Sequence, residues 1–189
     1  MALQARPLLS HEVARLLIGC SSRDRALVWC CLGAGLRAAE SAALRVGDVG
    51  QDGAVEVHTA KGGEPRRVYL TGQALEAVMQ WRATLEFRGA LDPLFPSRKK
   101  RNGRPQAITG ASAVDLMKHL MEQAGVSNAS SHSLRRTHAQ RLEESGSNPR
   151  IIQRQLGHKQ LNTTETYLAA YPPRYRETVR SLEFDLSAQ

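Results

Sequence analysis

Residues 131–168 read SHSLRRTHAQRLEESGSNPRIIQRQLGHKQLNTTETYL, and the punctuation of this stretch decides the fold. Ser131 opens a helix in which Leu134, His138 and Leu142 share neighbouring faces. His132 and Arg135 stand one turn apart on it and project together. Gly146 stops that helix. Asn148 followed by Pro149 starts another, because a proline at the first helical position gives up no hydrogen bond and its fixed φ suits the helix. This second helix, IIQRQL, ends at Gly157, so His158 stands just past a C-terminus. Asn162 or Thr163 opens a short helix carrying Tyr167, and Tyr171-Pro172-Pro173 breaks it. A last helix is expected over residues 174–185. Short helices strung on glycine and proline turns predict a mainly helical domain.

Upstream, residues 1–9 read as a loose lead-in, and Ser10 is the expected N-cap of a helix buried through Val13, Leu16 and Leu17. The run RALVWCCL, Arg25 to Leu32, is almost wholly apolar and predicts a central helix covered on all sides. Gly33-Ala34-Gly35 ends it and delivers Arg37 to the turn before AAESAAL. A guanidinium presents a planar fork of donors that matches two phosphate oxygens and stays charged at any working pH. Glu40, three residues on, shares Arg37's helical face and is placed to hold it. AVEVHT alternates with period two, and RRVYL follows after KGGEP. The pair predicts a hairpin with Lys61 at its tip, the outer part of a small three-stranded antiparallel sheet. Thr71 and Thr109 are expected helix caps. Between those helices, Arg98, Lys99, Lys100, Arg101 and Arg104 form the densest charge run in the chain, suited to gripping a phosphate backbone without reading bases.

The chain has 189 residues, enough for one domain around a single core. Its 26 Lys and Arg against 18 Asp and Glu leave a net charge of +8, which favours a polyanionic partner. Cys20, Cys30 and Cys31 cannot all pair with one another and lack metal-ligand spacing, which fits a reducing cytoplasm and an apolar helix. No apolar run approaches the roughly 20 residues that span a bilayer. The expectation is a cytoplasmic protein with no membrane partner.

Two arginines, two histidines, a lysine and a tyrosine, with no acidic metal cluster, suit attack on a phosphodiester. Fixed guanidinium and imidazole donors stabilise the charge gathering on the nonbridging oxygens without a metal or other cofactor. A phenol has an ordinary pKa near 10, so neighbouring cations are needed to favour the phenolate that attacks phosphorus.

These residues carry a resemblance. His132-x-x-Arg135 and Leu156-Gly157-His158, with Tyr167 nine residues on, resemble the C-terminal boxes of the tyrosine site-specific recombinases, or phage integrases. Gly35-Leu36-Arg37-Ala38-Ala39-Glu40 resembles that family's first arginine box, and Lys61 its hairpin lysine. The resemblance runs over roughly residues 10 to 180 and implies an α+β, mainly α-helical catalytic domain. It implies Tyr167 as nucleophile forming a 3′-phosphotyrosyl link, Arg37 and Arg135 as phosphate holders, and His158 as a further donor. His132 takes the place of the acid/base partner, and Lys61 that of the acid for the leaving 5′ oxygen.

It also implies double-stranded DNA as substrate, a tetramer in synapsis, accessory DNA-bending proteins, and a C-terminal tail, 174–189, exchanged between protomers. Ala39 and Ser41 depart mildly from the first box. The larger departure is in domain organisation: residues 10–173 read as the catalytic domain, with no N-terminal core-binding domain, so that the chain is either a naturally short member similar to the fimbrial-type invertases or a fragment. Two other readings remain: a topoisomerase-like nickase sharing the chemistry, and a catalytically silent DNA-binding regulator, since helix, Gly146 turn and helix also fit a helix-turn-helix.

Overall fold

The computed structural model describes residues 5–58, 65–157 and 172–186. Helices α1 (Ser10–Ile18), α2 (Ser22–Ala34) and α3 (Ala38–Ala42) come first, then a 3-10 turn over Val46–Asp48. Strands β1 (Ala54–Val57) and β2 (Arg66–Tyr69) follow, then α4 (Gly72–Ala83), strands β3 (Pro96–Arg101) and β4 (Arg104–Ala107), and α5 (Gly110–Gln123). Helices α6 (Ser131–Glu144), α7 (Pro149–Leu156) and α8 (Pro172–Arg180) complete the described chain.

The apolar run does form the central helix. Ala26, Leu27, Val28, Cys31 and Leu32 of α2 are wholly buried, with α4, α6 and α3 packed around them. Ser21 caps its start by accepting the Asp24 amide. Gly33 lets α4 approach: a Cβ there would lie 2.3 Å from the Ala74 Cβ. Burial pushes the Cys20 thiol up to about 11 and that of Cys31 to about 12, so both pack as inert apolar groups.

Strands β1 and β2 pair antiparallel, with Val55 opposite Val68 and Val57 opposite Arg66. Among the described residues the sheet has these two strands, extended only by an isolated antiparallel bridge, Val49 to Val55, in place of the expected third strand. The basic run, to which the sequence assigned no element, is a second hairpin, β3–β4, in which Arg101 faces Arg104. Asn102 and Gly103 both take positive φ, 49° and 76°, as a tight two-residue hairpin turn requires. The run lacks apolar–polar alternation because neither face is buried, so Asn-Gly was its one strand signal.

Thr71 and Thr109 cap α4 and α5 as expected, and Asn148 with Pro149 starts α7. Ser10 does not cap α1. Leu9 holds that position, its amide donating to the Glu12 carboxylate at 2.9 Å, while the Ser10 hydroxyl accepts from Arg141 at 2.6 Å. From Ala5 on, the lead-in is pinned rather than loose: Arg6 forks onto Glu12, and the Leu8 amide donates to Thr137.

A second apolar cluster sits beside the main core. Tyr69, Leu142, Ile152 and Leu156 meet Tyr175, Val179 and Leu182 of the C-terminal segment. That segment lies against its own chain, with Phe184 edge-on to Trp29 and its backbone clasped by Gln73. No helix among the described residues is long and apolar enough to cross a membrane.

Candidate functional site

Three elements converge where α2 gives way to α3. Gly35 closes α2 in the left-handed conformation, and the chain turns so that Arg37 becomes the N-cap of α3. An arginine side chain cannot accept from the open amides of a helix start, so Glu40 one turn on does the capping. Its carboxylate takes the Arg37 amide at 2.8 Å and an Arg37 Nη at 2.9 Å. Arg37 nonetheless leaves about half its side chain in solvent.

Arg135 comes to the same place from α6 and is almost fully buried. One Nη donates to the Gly35 carbonyl at 2.5 Å and the other to the Leu156 carbonyl. A single guanidinium thus ties the α2–α3 turn to the C-terminal end of α7. Burial, with Arg37 and Arg66 nearby and Glu40 opposing, lowers Arg135 to about 10, still protonated at neutral pH. His132, one turn before it, is exposed and lines the same open cleft, together with Arg136, Gln153 and Leu156.

Gly157 ends α7 in the left-handed conformation, φ 66°, and hands the chain on to His158. His158, Tyr167 and Lys61 lie outside the described residues. The structure brings together Arg37, Glu40, Arg135 and the Leu156-Gly157 corner. Arg98, Lys99, Lys100, Arg101 and Arg104 are all exposed on the β3–β4 hairpin, a separate element. Lys100 lies over the Phe87 ring and 4.0 Å from Glu86. The hairpin leads into α5, whose Gly110 abuts Ala39 of α3 so closely that a Cβ would lie 2.8 Å from the Ala39 Cβ. Of the two departures in the first arginine box, Ala39 admits this contact. Ser41 is fully buried, its hydroxyl 3.3 Å from the Cys31 sulfur.

Sequence reasoning missed three polar residues here. Arg66 of β2 forks onto both oxygens of Glu40, each at 2.9 Å. Burial pushes the Glu40 carboxyl up, but Arg66, the Arg37 amide and the Arg37 charge more than offset this and leave it at about 2. Gln155 is fully buried; its amide donates to the Ala34 and Tyr69 carbonyls, and its oxygen accepts from the Tyr69 amide and the Tyr175 hydroxyl. His138, equally buried, meets the Leu32 carbonyl through Nδ1 at 3.0 Å, and its Nε2 finds no partner among the described residues. Burial lowers it to about 4, so it is neutral. In sequence Arg66 was one of two arginines opening a strand, and Gln155 and His138 were ordinary helix positions. Their roles depend on partners 20 to 121 residues away.

The chain belongs to the phage integrase family, whose model matches residues 6–174. Similar proteins include tyrosine recombinase XerC of Erythrobacter litoralis, 37% identical over 75% of this chain and 44% of that protein. Tyrosine recombinase XerD of Corynebacterium glutamicum is 33% identical over 84% of this chain and 52% of its own length. The chain therefore spans about half the length of the curated relatives it matches. Among solved structures, the integrase of mycobacterium phage Brujita superposes with a TM-score of 0.76 at 26% identity, over 95% of this chain and 58% of that one. XerA recombinase gives 0.70 at 22% identity, over 98% and 62%, a likeness of fold.

Proposed function

We propose that this chain is the catalytic domain of a site-specific DNA recombinase that cleaves and rejoins duplex DNA through Tyr167. The observation that carries this is Arg135 bridging the Gly35 and Leu156 carbonyls, which holds two guanidiniums beside the corner leading to His158. Arg37 and Arg135 take the nonbridging oxygens of the scissile phosphate, and His158 adds a donor. The Tyr167 hydroxyl loses its proton to His132 and attacks phosphorus. The bond from phosphorus to the 5′ oxygen breaks, and Lys61 protonates that oxygen. The product is a 3′-phosphotyrosine and a free 5′-hydroxyl. Because the new ester retains the energy of the broken link, the reverse step rejoins DNA without ATP. Cationic donors placed before the charge develops account for stabilisation of the transition state.

The relatives' names support this reading. The two curated ones are called tyrosine recombinases, and structures of similar fold include a lambda integrase dimer bound to a core site and XerH bound to its difH substrate. The β3–β4 hairpin then grips DNA phosphates, and a tetramer assembles at synapsis with DNA-bending proteins assisting; the 174–189 tail passes between protomers only by leaving the Tyr69, Leu142 and Ile152 cluster that it covers in the single chain. The experiment uses a duplex selected by this chain from a random-sequence pool, nicked beside the cleavage point so that the freed 5′ fragment diffuses away. A slow-migrating covalent adduct with wild type, absent with Tyr167→Phe, is the expected result. No adduct on DNA that the chain binds site-specifically would favour the silent regulator. Supercoil relaxation without recombinant product would favour the nickase.

A further inference from the structure

We infer that Arg66 is a positioning residue for strand cleavage: it occupies Glu40 so that Arg37 stays available to phosphate, and it braces the Gly157 corner. The inference rests on the DNA-cleaving role proposed above.

A carboxylate offers about four acceptor positions. At Glu40 all four are taken: Oε1 by one Nη each of Arg37 and Arg66, Oε2 by the Arg37 amide and the other Arg66 Nη. Arg37 spends one guanidinium nitrogen on Glu40, whereas Arg66 spends two. Remove the Arg66 fork and two acceptor positions open on a carboxylate that is 9% exposed. The nearest cation able to fill them is Arg37, because a forked arginine–carboxylate pair is stronger than a single contact. Arg37 would then turn its donors away from the scissile phosphate. Charge tells the same way. Arg37, Arg66 and Arg135 against Glu40 keep the corner strongly positive, and losing Arg66 halves that excess where an anion must bind.

The stem of Arg66 has a second contact. A Cβ placed on Gly157 would meet the Arg66 Nε at 2.7 Å, Cδ at 2.8 Å and Cζ at 2.9 Å, so the guanidinium lies directly on the residue before His158. Arg66 is also the first residue of β2, opposite Val57, on the return side of the hairpin that carries Lys61. One side chain therefore joins the lysine hairpin, the first arginine box and the Leu-Gly-His corner. Lysine cannot substitute, since a single ammonium neither forks two oxygens nor lies flat on a peptide.

The test measures single-turnover cleavage of the selected, nicked duplex at saturating DNA and well below the melting temperature, with DNA affinity measured alongside. Wild type is compared with Arg66→Lys, Arg66→Gln and Arg66→Gln combined with Glu40→Gln. Arg66→Gln should cleave roughly 100-fold more slowly with affinity within a few-fold, as for a misplaced phosphate-binding group. Arg66→Lys should recover little. Glu40→Gln in the Arg66→Gln background should restore about tenfold, since an amide no longer captures Arg37. A part that only supports folding would leave the saturated rate unchanged, and wild-type cleavage by Arg66→Gln would overturn the inference. A wild-type chain that forms no adduct would instead sink the recombinase reading.

Discussion

Arg37 and Arg135 are the same residue type in the same corner, yet their surroundings assign them different burdens. Arg37 is half exposed and anchored at one edge, so its truncation removes few contacts that hold the fold. Arg135 is buried and bridges two carbonyls from segments over a hundred residues apart, so its truncation leaves those acceptors unpaired. We predict that Arg37→Ala cuts covalent adduct formation by roughly 100- to 1,000-fold, in line with loss of one preorganised donor, while its melting temperature stays near that of wild type. Arg135→Ala should lose the same activity and melt several degrees lower as well. Adduct gels paired with thermal melts separate the two, and a large stability loss for Arg37→Ala would contradict the division. Both arginines were visible in the sequence as box residues. Their difference in burial was not, because it is set by Gly35 and Leu156 folding back onto α6.

At the scale of elements, legibility followed how local the determining interaction is. Thr71, Thr109 and the Asn148-Pro149 pair mark helix starts through bonds to the next two or three residues, and each was readable. Ser10 was misread because its hydroxyl is taken by Arg141, 131 residues away. The β3–β4 hairpin was read for charge and missed for shape. As a ribbon it presents Arg98, Lys99, Lys100, Arg101 and Arg104 on a narrow, largely exposed element, suited to lie along a phosphate backbone. Each phosphate contact contributes about 0.9 to the slope of log affinity against log salt. Replacing Lys99, Lys100 and Arg101 together with alanine should therefore lower that slope by roughly 2 to 3, with DNA site preference unchanged. An unaltered slope in salt titrations would remove the hairpin from the DNA interface.

The whole molecule should be sensitive to acid, for reasons that lie in two buried groups on one side of the core. His138 is held neutral in the fold at about 4, against an ordinary 6.5. As pH falls below 6.5 the unfolded chain takes up this proton first, so the His138 contribution is complete above 6.5 and is lost on the way to 4. Its size is about 3 kcal/mol at most. Glu40 is depressed to about 2, so its contribution is complete above 4.5 and is lost as pH falls towards 2. It adds roughly 2 kcal/mol, allowing for solvent screening at the open edge of its cluster. Denaturant unfolding between pH 7 and 4 should show stability falling steeply for wild type and less so for His138→Asn, whose amide can still donate to Leu32. Equal slopes would contradict the assignment. Fold class was legible in the helix punctuation, and so was the order of the boxes. The network joining Glu40 to Arg66 and Gln155 to Tyr69 was not, since it arises only once β2 lies beside α7.

The cleavage expectations depend on one bond, between the Tyr167 oxygen and phosphorus. The most direct measurement is to trap the reaction of the wild-type chain on its selected, nicked duplex, digest protein and DNA, and map the nucleotide-bearing peptide by mass spectrometry. The account predicts a single modified peptide with the phosphate ester on Tyr167 and the 3′ end of the cleaved strand attached. A nucleotide on any other residue, or cleavage that leaves no protein-linked 3′ end, would contradict it.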